Sequence, residues 1–134
     1  QIGEGDAFVV RYDEDLSNAV FRQIGTRSAD AFRNIEISGD GRIFALGYTY
    51  GDFDGLRNAN ADNTTGDVLI VELSAELDVL GSYQFGTRGE DRGYLRISGD
   101  DLAVAGMTEM ALAGDNLGAF DGYFLPVPIG EFFP

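Results

Sequence analysis

The segment spanning residues 51–63 holds the residues whose types and spacing most favour binding chemistry. Acidic and amide side chains alternate there with small ones, and the candidate oxygen ligands are Asp52, Asp54, Asn58, Asn60 and Asp62. Calcium takes about six to eight oxygen ligands, and ligands at alternate positions let a loop wrap the ion. The segment therefore predicts a calcium site, although no glutamate stands where a complete calcium loop has its bidentate ligand. Turns also favour Asp, Asn and Gly without any metal, so both interpretations stay open.

Catalysis is restricted by the residue types that the chain lacks. It has no His, Cys or Trp, and its 9 basic residues are all Arg. A Ser–His–Asp triad, a thiol nucleophile and a lysine Schiff base are therefore excluded. Carboxylate pairs could hydrolyse glycosides, and the densest clusters are Glu90-Asp91 and residues 13–15. Both lie in predicted loops, where charge clusters are typical of solvated surface, so we expect no enzymatic activity.

The net charge of −14 argues against several classes of partner. The chain has no basic patch able to neutralise phosphates, so a nucleic-acid partner is not expected. Anionic membrane surfaces are disfavoured for the same reason. Apolar stretches such as residues 68–71 are far too short to cross a bilayer, so no membrane span is expected. The charge favours solubility and the binding of cations.

An internal repeat of about 60 residues must position these side chains. Four segments of the first half return in order in the second half, with offsets that fall from 61 through 60 to 59. The matched segments are residues 5–10 with 66–71, 23–27 with 84–88, 37–40 with 97–100, and 47–49 with 106–108. A third copy begins at residues 121–125. The single domain, 1–134, is therefore divided into repeat one at 5–65, repeat two at 66–120 and an extra strand at 121–134.

Each repeat predicts four short strands joined by turns rich in Gly and Asp. The predicted strands are residues 7–12, 19–24, 32–38 and 43–50 in repeat one, 68–73, 80–85, 94–98 and 102–108 in repeat two, and 122–129 at the end. The pattern contains no convincing helix. Antiparallel strands with this period predict an all-β fold of tandem four-stranded blades of β-propeller type, two blades plus one extra strand. A two-sheet β-sandwich is the structural alternative.

Several motifs resemble those of one known family. The segments GDAFVVRYD, QIGTRSADAF, ISGDGRIFALGYTYGDFDG and NADNTTGDVLIVEL are similar to the repeats of the bacterial β-propeller repeat family called SBBP. The resemblance extends over nearly the whole chain, twice, and repeat two departs from it where Met107 replaces the equivalent of Tyr48. It implies a propeller in a secreted or cell-surface protein.

The extra strand indicates association beyond the two repeats. A closed propeller needs about four blades or more, and three interpretations stay open: the chain is a piece of a longer protein, several copies complete a ring, or the strand adds to a neighbouring subunit. Pro126 and Pro128 are typical of an edge strand. We expect a homo-oligomer or a larger multi-subunit assembly. The residues expected to mediate it are Tyr123, Phe124, Leu125, Val127, Ile129, Phe132 and Phe133.

Two further sets of residues have competing interpretations. Tyr48, Tyr50 and Phe53 could form a platform for carbohydrate, although packing within or between blades is favoured. Aspartates that recur at equivalent positions predict turn caps rather than ligands; they are Asp6, Asp67 and Asp121, and Asp30 and Asp91. The sequence thus predicts a non-catalytic structural or assembly module of an extracellular or surface bacterial protein. The alternative is a calcium-dependent carbohydrate-binding or adhesive module.

Overall fold

The computed structural model describes residues 2–60, 62, 64–112 and 114–134, and within them the chain forms nine strands and one short helix. The strands are β1 (Ala7–Tyr12), β2 (Ala19–Ile24), β3 (Asp30–Ile37), β4 (Ile43–Thr49), β5 (Asp67–Leu73), β6 (Val79–Phe85), β7 (Asp91–Ser98), β8 (Asp101–Thr108) and β9 (Asp121–Pro128); the helix is α1 (Ile129–Phe132). The all-β prediction is confirmed, and every predicted strand is present with ends shifted by at most three residues.

The strands pair into three antiparallel sheets that follow chain order. The first sheet is β1–β2, the second is β3–β4–β5–β6, and the third is β7–β8–β9. The second sheet therefore joins the last two strands of repeat one to the first two of repeat two. By the same division, the first sheet has only the first two strands of a repeat, and the third sheet has the last two strands of repeat two plus β9. A ring of blades remains a prediction.

The falling offsets between the repeats have two local causes. The register of β3 on β4 shifts between Phe32 and Asn34, which leaves Arg33 as a bulge, whereas β7 pairs with β8 without a shift. This extra residue accounts for the change from 61 to 60. The connection that follows spans residues 39–41, between the bonded Ser38 and Arg42, in repeat one but only 99–100, between the paired Ser98 and Asp101, in repeat two, which accounts for the change from 60 to 59. The repeats are therefore equivalent strand for strand, with insertions confined to a bulge and a turn.

The three sheets lie face to face and enclose two apolar clusters. Between the first and second sheets, Val9 and Val20 pack against a buried set made of Ile24, Ala45, Phe53, Leu69, Val71, Leu73 and Leu77. Between the second and third sheets lie Phe44, Leu46, Val68, Ile70, Leu95, Leu102, Val104 and Val127, together with Ile129 and Phe133. Every residue of β5 is buried because a sheet covers each of its faces. In β1, which has a similar sequence, only Ala7 is buried.

Glycine is required where β3 approaches β4 most closely. A Cβ on Gly47 would overlap the backbone carbonyl oxygen of Ala31, and a Cβ on Gly106 would overlap that of Arg92 in the equivalent place. Adjacent strands cannot separate locally without breaking their ladder. The glycine that repeats in the sequence thus has a steric cause in both repeats.

The chain leaves the sheet at Ile129. The predicted strand at 122–129 ends one residue early, and the expectation of no helix is wrong for Ile129–Phe132. The turn forms because the Phe133 N–H donates to the Ile129 carbonyl at 2.8 Å, while the Ile129 N–H donates to Asp100 at 3.0 Å. Both Ile129 and Phe133 are buried, so apolar burial favours a helical turn over a longer strand.

Candidate assembly edge and carboxylate sites

The predicted assembly strand, β9, is the outer strand of the third sheet. It pairs with β8 along its whole length, from Asp121 opposite Thr108 to Pro128 opposite Asp101. In the part of the chain that the structure describes, no strand pairs with the other edge of β9. The expectation of an edge strand, based on the two prolines, agrees with this position.

The prolines limit what the open edge can bind. The Ile129 N–H faces β8, since it donates to Asp100. Backbone N–H groups alternate between the two edges of an antiparallel strand, so those of even-numbered residues face outward. Pro126 and Pro128 carry no N–H, and the outer edge offers both a donor and an acceptor only at Gly122 and Phe124. Strand addition is therefore restricted to the first half of β9.

The seven residues predicted to mediate assembly divide into two groups. Phe124 is 68% exposed and points away from the second sheet. Val127, Ile129 and Phe133 are buried in the cluster between the second and third sheets, and the partly buried Tyr123, Leu125 and Phe132 pack against it. Six of the seven side chains are therefore used inside the chain, which leaves Phe124 and the backbone edge available for a neighbour.

The C-terminal segment is anchored rather than free. The ring of Phe133 meets that of Phe44 edge to face at 5.4 Å, and Phe132 lies 4.2 Å from the ring of Tyr83. The Arg42 guanidinium donates to the Phe133 carbonyl oxygen at 2.6 Å while it forms an ion pair with Glu72 at 2.7 Å. Phe132 and Phe133, which were expected to mediate assembly, are thus packed against β4 and β6 of their own chain.

The residues predicted to bind calcium are hydrogen-bonded to one another's backbone. Asp52 Oδ1 accepts the Asn58 N–H at 2.9 Å, Asn58 Oδ1 accepts the Asn60 N–H at 2.7 Å, and Asn60 Oδ1 accepts the Asp62 N–H at 3.0 Å. Asp54 is exposed and has a φ of 49°, a turn conformation that aspartate tolerates. These bonds support turn formation and use oxygens that a metal would need.

Asn58 is the buried centre of this loop. Its side-chain amide donates to the carbonyl oxygens of Thr49 and Thr65, each at 3.2 Å, and so holds the loop against the end of β4. Among the described residues, no group of three or more acidic side chains is placed to hold a metal ion. The calcium site stays a prediction.

Four of the five recurring aspartates form two equivalent pairs, one in each repeat. Asp6 and Asp30 flank Gly25, and Asp67 and Asp91 flank Gly86; a Cβ on Gly86 would overlap Asp67 Oδ1 and lie 2.8 Å from Asp91 Oδ2. The members that follow Gly-Thr cap their turn as predicted. Asp30 Oδ2 accepts the Thr26 N–H at 2.6 Å. Asp91 Oδ2 accepts the Thr87 hydroxyl at 3.0 Å.

The second of these pairs is the more deeply buried and the less completely bonded. Asp67 Oδ2 accepts the Ala59 N–H at 2.9 Å and the Gln84 amide at 3.1 Å, while Oδ1 of Asp67 and Oδ1 of Asp91 lack a hydrogen-bond partner within the described structure. Burial raises the pKa of Asp67, and the charges of Asp91 and Asp52 add to this effect. The sequence repeat predicted these positions but not that one pair is buried without a counter-charge.

The three aromatic residues predicted as a carbohydrate platform do not share one exposed surface. Phe53 is buried between the first and second sheets. The guanidinium groups of Arg33 and Arg92 lie 5.2 and 4.8 Å from the centre of the Tyr48 ring. The Tyr50 hydroxyl donates to Glu90. These contacts agree with the packing role that the sequence favoured.

The first sheet and its turn carry a group of exposed apolar side chains that the sequence did not predict as a surface. Phe8, Tyr12, Leu16 and Phe21 are all more than half exposed, and the rings of Phe8 and Phe21 stack at 6.1 Å. The signal was present in the repeat, because their equivalents in repeat two include Leu69, Leu73 and Leu77. Those residues are buried.

Comparison with known proteins leaves the family open. No family model matches the chain, and no curated protein matches it significantly. The similarity to SBBP repeats therefore stays a prediction. The described residues include no helix with the length and apolar character needed to span a membrane.

Proposed function

We propose that this chain is a non-catalytic structural module of an extracellular or cell-surface bacterial protein, which associates with neighbouring subunits through its terminal strand. The observation that carries this proposal is the unpaired edge of β9, which is held in place by complete pairing with β8 on its other side. An ordered strand edge is a template for a strand from another chain, because main-chain hydrogen bonds form without any change in the host sheet.

The use of the carboxylates supports a structural role. Glu90, in one of the two densest acidic clusters, accepts the Gly66 N–H at 2.9 Å and pairs with Arg92 at 2.6 Å. Asp91 caps the turn at Thr87. The two acidic residues of this cluster therefore already hold loops in place.

The test removes one hydrogen-bond donor from the open edge. Gly122→Pro eliminates an outward N–H without disturbing the bonds to β8, and a Cβ at this position would lie 3.9 Å from the Gly106 carbonyl oxygen, an ordinary van der Waals contact. We expect it to weaken self-association about tenfold or more, measured by sedimentation velocity, because a tenfold change corresponds to about 1.4 kcal/mol, the value of one or two net hydrogen bonds.

Gly122→Ala is the matched control, since it adds a Cβ at the same position and keeps the N–H. It should associate as the unmodified chain does. Equal association of the proline and alanine variants would contradict pairing through β9.

A further inference from the structure

The stack of three sheets leaves two outer faces that are chemically unlike each other. The leading face consists of Phe8, Val10, Tyr12 and Phe21 on the first sheet, directed away from the second sheet. The trailing face consists of Tyr94, Ala103, Ala105 and Phe124 on the third sheet, directed away from the second sheet at the opposite end. The internal repeat shows what normally covers each face.

The leading face is equivalent to a buried surface inside the molecule. At an offset of 61, Phe8, Val10 and Tyr12 correspond to Leu69, Val71 and Leu73, which are at most 2% exposed because the first sheet covers them. The turns after β1 and β5 show the same difference in burial. Leu16 and Leu77 both have left-handed φ values, 60° and 65°, yet Leu16 is 71% exposed and Leu77 is 2% exposed. The leading face thus has the form of a surface covered by a preceding sheet.

The trailing face is equivalent to the other internal surface. Ala103 and Ala105 correspond to Phe44 and Leu46 at an offset of 59, and Phe124 corresponds to Ile70 in the third copy. Phe44, Leu46 and Ile70 are fully buried because the third sheet covers them. Both contacts inside the chain therefore join a surface of the trailing type to a surface of the leading type.

The sizes of the side chains indicate which surfaces fit together. The leading face has large aromatic residues where the internal leading surface has aliphatic ones. The trailing face has two alanines on β8 where the internal trailing surface has Phe44 and Leu46, and the larger Tyr94 and Phe124 lie on either side of them, so that these four residues line a depression. The large side chains of the leading face thus meet a depression in the trailing face, as close packing between sheets requires. We propose that a second copy of this chain stacks its trailing face on the leading face of the first, head to tail.

This inference rests on the proposed role in assembly but not on pairing through β9. A contact between two different faces is heterologous, so it propagates into a ring or a fibre rather than closing as a symmetric dimer. The experiment therefore uses chains that all carry Gly122→Pro, which weakens the contribution of the strand edge. The association that the Gly122→Pro chain retains is then attributed to contact between the leading and trailing faces.

Two charge substitutions block one face each. In the Gly122→Pro chain, Phe8→Glu blocks the leading face and Ala105→Glu blocks the trailing face; both positions are exposed. Each variant alone should be monomeric in sedimentation velocity, because every copy lacks the same face. An equimolar mixture should form a dimer of one copy of each, since one intact leading face then meets one intact trailing face. Leu117→Glu, at an exposed loop position outside both faces, should associate as its parent does.

The outcomes separate the two proposals. A monomeric Gly122→Pro parent, or association of either blocked variant by itself, overturns head-to-tail stacking; the first of these results leaves pairing through β9 intact. A mixed dimer supports stacking even if the Gly122→Pro and Gly122→Ala variants associate equally. That second result would contradict only the proposed pairing through β9. Circular dichroism melting of each variant shows that the fold is retained, because the substituted side chains point into solvent.

Discussion

At the scale of single residues, the buried pair Asp67 and Asp91 shows what the burial of a carboxylate costs. Both side chains are buried, each has one oxygen without a hydrogen-bond partner, and none of the ion pairs among the described residues includes them. Burial raises the pKa of Asp67 and so favours the neutral form of its carboxyl group. The equivalent Asp6 is bonded to the N–H groups of Ile2 and Gly3 and to the amide of Gln23. Asp6 and Asp67 thus allow a partly exposed aspartate to be compared with a buried one at the same position of the repeat.

We predict that Asp67→Asn stabilises the chain at neutral pH. The raised pKa of Asp67 means that the folded chain retains a proton that the unfolded chain has lost. Stability is therefore lost as the pH rises from the unfolded aspartate pKa, about 4, towards the raised value, and it stays lower above that value. The asparagine side chain keeps an oxygen that can accept the Ala59 N–H, and its amide nitrogen supplies N–H donors on the side of Asp91.

The measurement is the free energy of unfolding by denaturant as a function of pH. The difference between the variant and the unmodified chain should be smallest below pH 4 and increase upward, which isolates Asp67 from the other carboxylates. Asp54→Asn, at an exposed turn position, should leave the pH profile unchanged. A variant less stable than the unmodified chain at pH 7 would show that Asp67 is stabilised as an anion.

At the scale of elements, α1 turns the residues after β9 towards the apolar cluster between the second and third sheets. Alternation of more and less exposed residues continues through β9, and the sequence predicted a strand to residue 129. The helical turn instead places Ile129 and Phe133 on the same apolar cluster. Local pattern could not reveal this, since the surface that receives Phe133 is formed by Phe44 and Arg42, about 90 residues earlier.

We predict that Phe133→Ala destabilises the fold by about 3–5 kcal/mol, the usual cost of removing a buried phenylalanine. Phe133 is 1% exposed and packs against Phe44, so truncation leaves a cavity between the second and third sheets. Equilibrium denaturation at a concentration where the chain is monomeric measures the change. Phe120→Ala, at a position that is half exposed, should change stability by less than about 0.5 kcal/mol. Equal losses in both variants would contradict the anchoring role of the tail.

At the scale of the whole molecule, charge and apolar surface act in opposite directions. The net charge of −14 repels like copies, whereas the leading and trailing faces favour contact. We predict that association strengthens as salt is added, because the Debye length falls to about 8 Å at physiological ionic strength and repulsion between copies is screened.

Sedimentation velocity in increasing sodium chloride measures this effect. A series in sodium sulfate at matched ionic strength serves as control for hydrophobic strengthening, which sulfate increases further. Association that weakens with salt would mean that ion pairs, rather than the apolar faces, join the copies.

The sequence alone determined the all-β fold, the strand positions and the equivalence of the two repeats. These depend on local alternation, turn residues and repetition, which are all properties of neighbours along the chain. Tertiary structure decided which strands share a sheet, which of two equivalent carboxylate pairs is buried, and whether an apolar side chain is covered. Phe8 and Leu69 have the same place in the repeat, yet only Leu69 is buried, because burial depends on a second sheet that lies on the face and not on the strand itself.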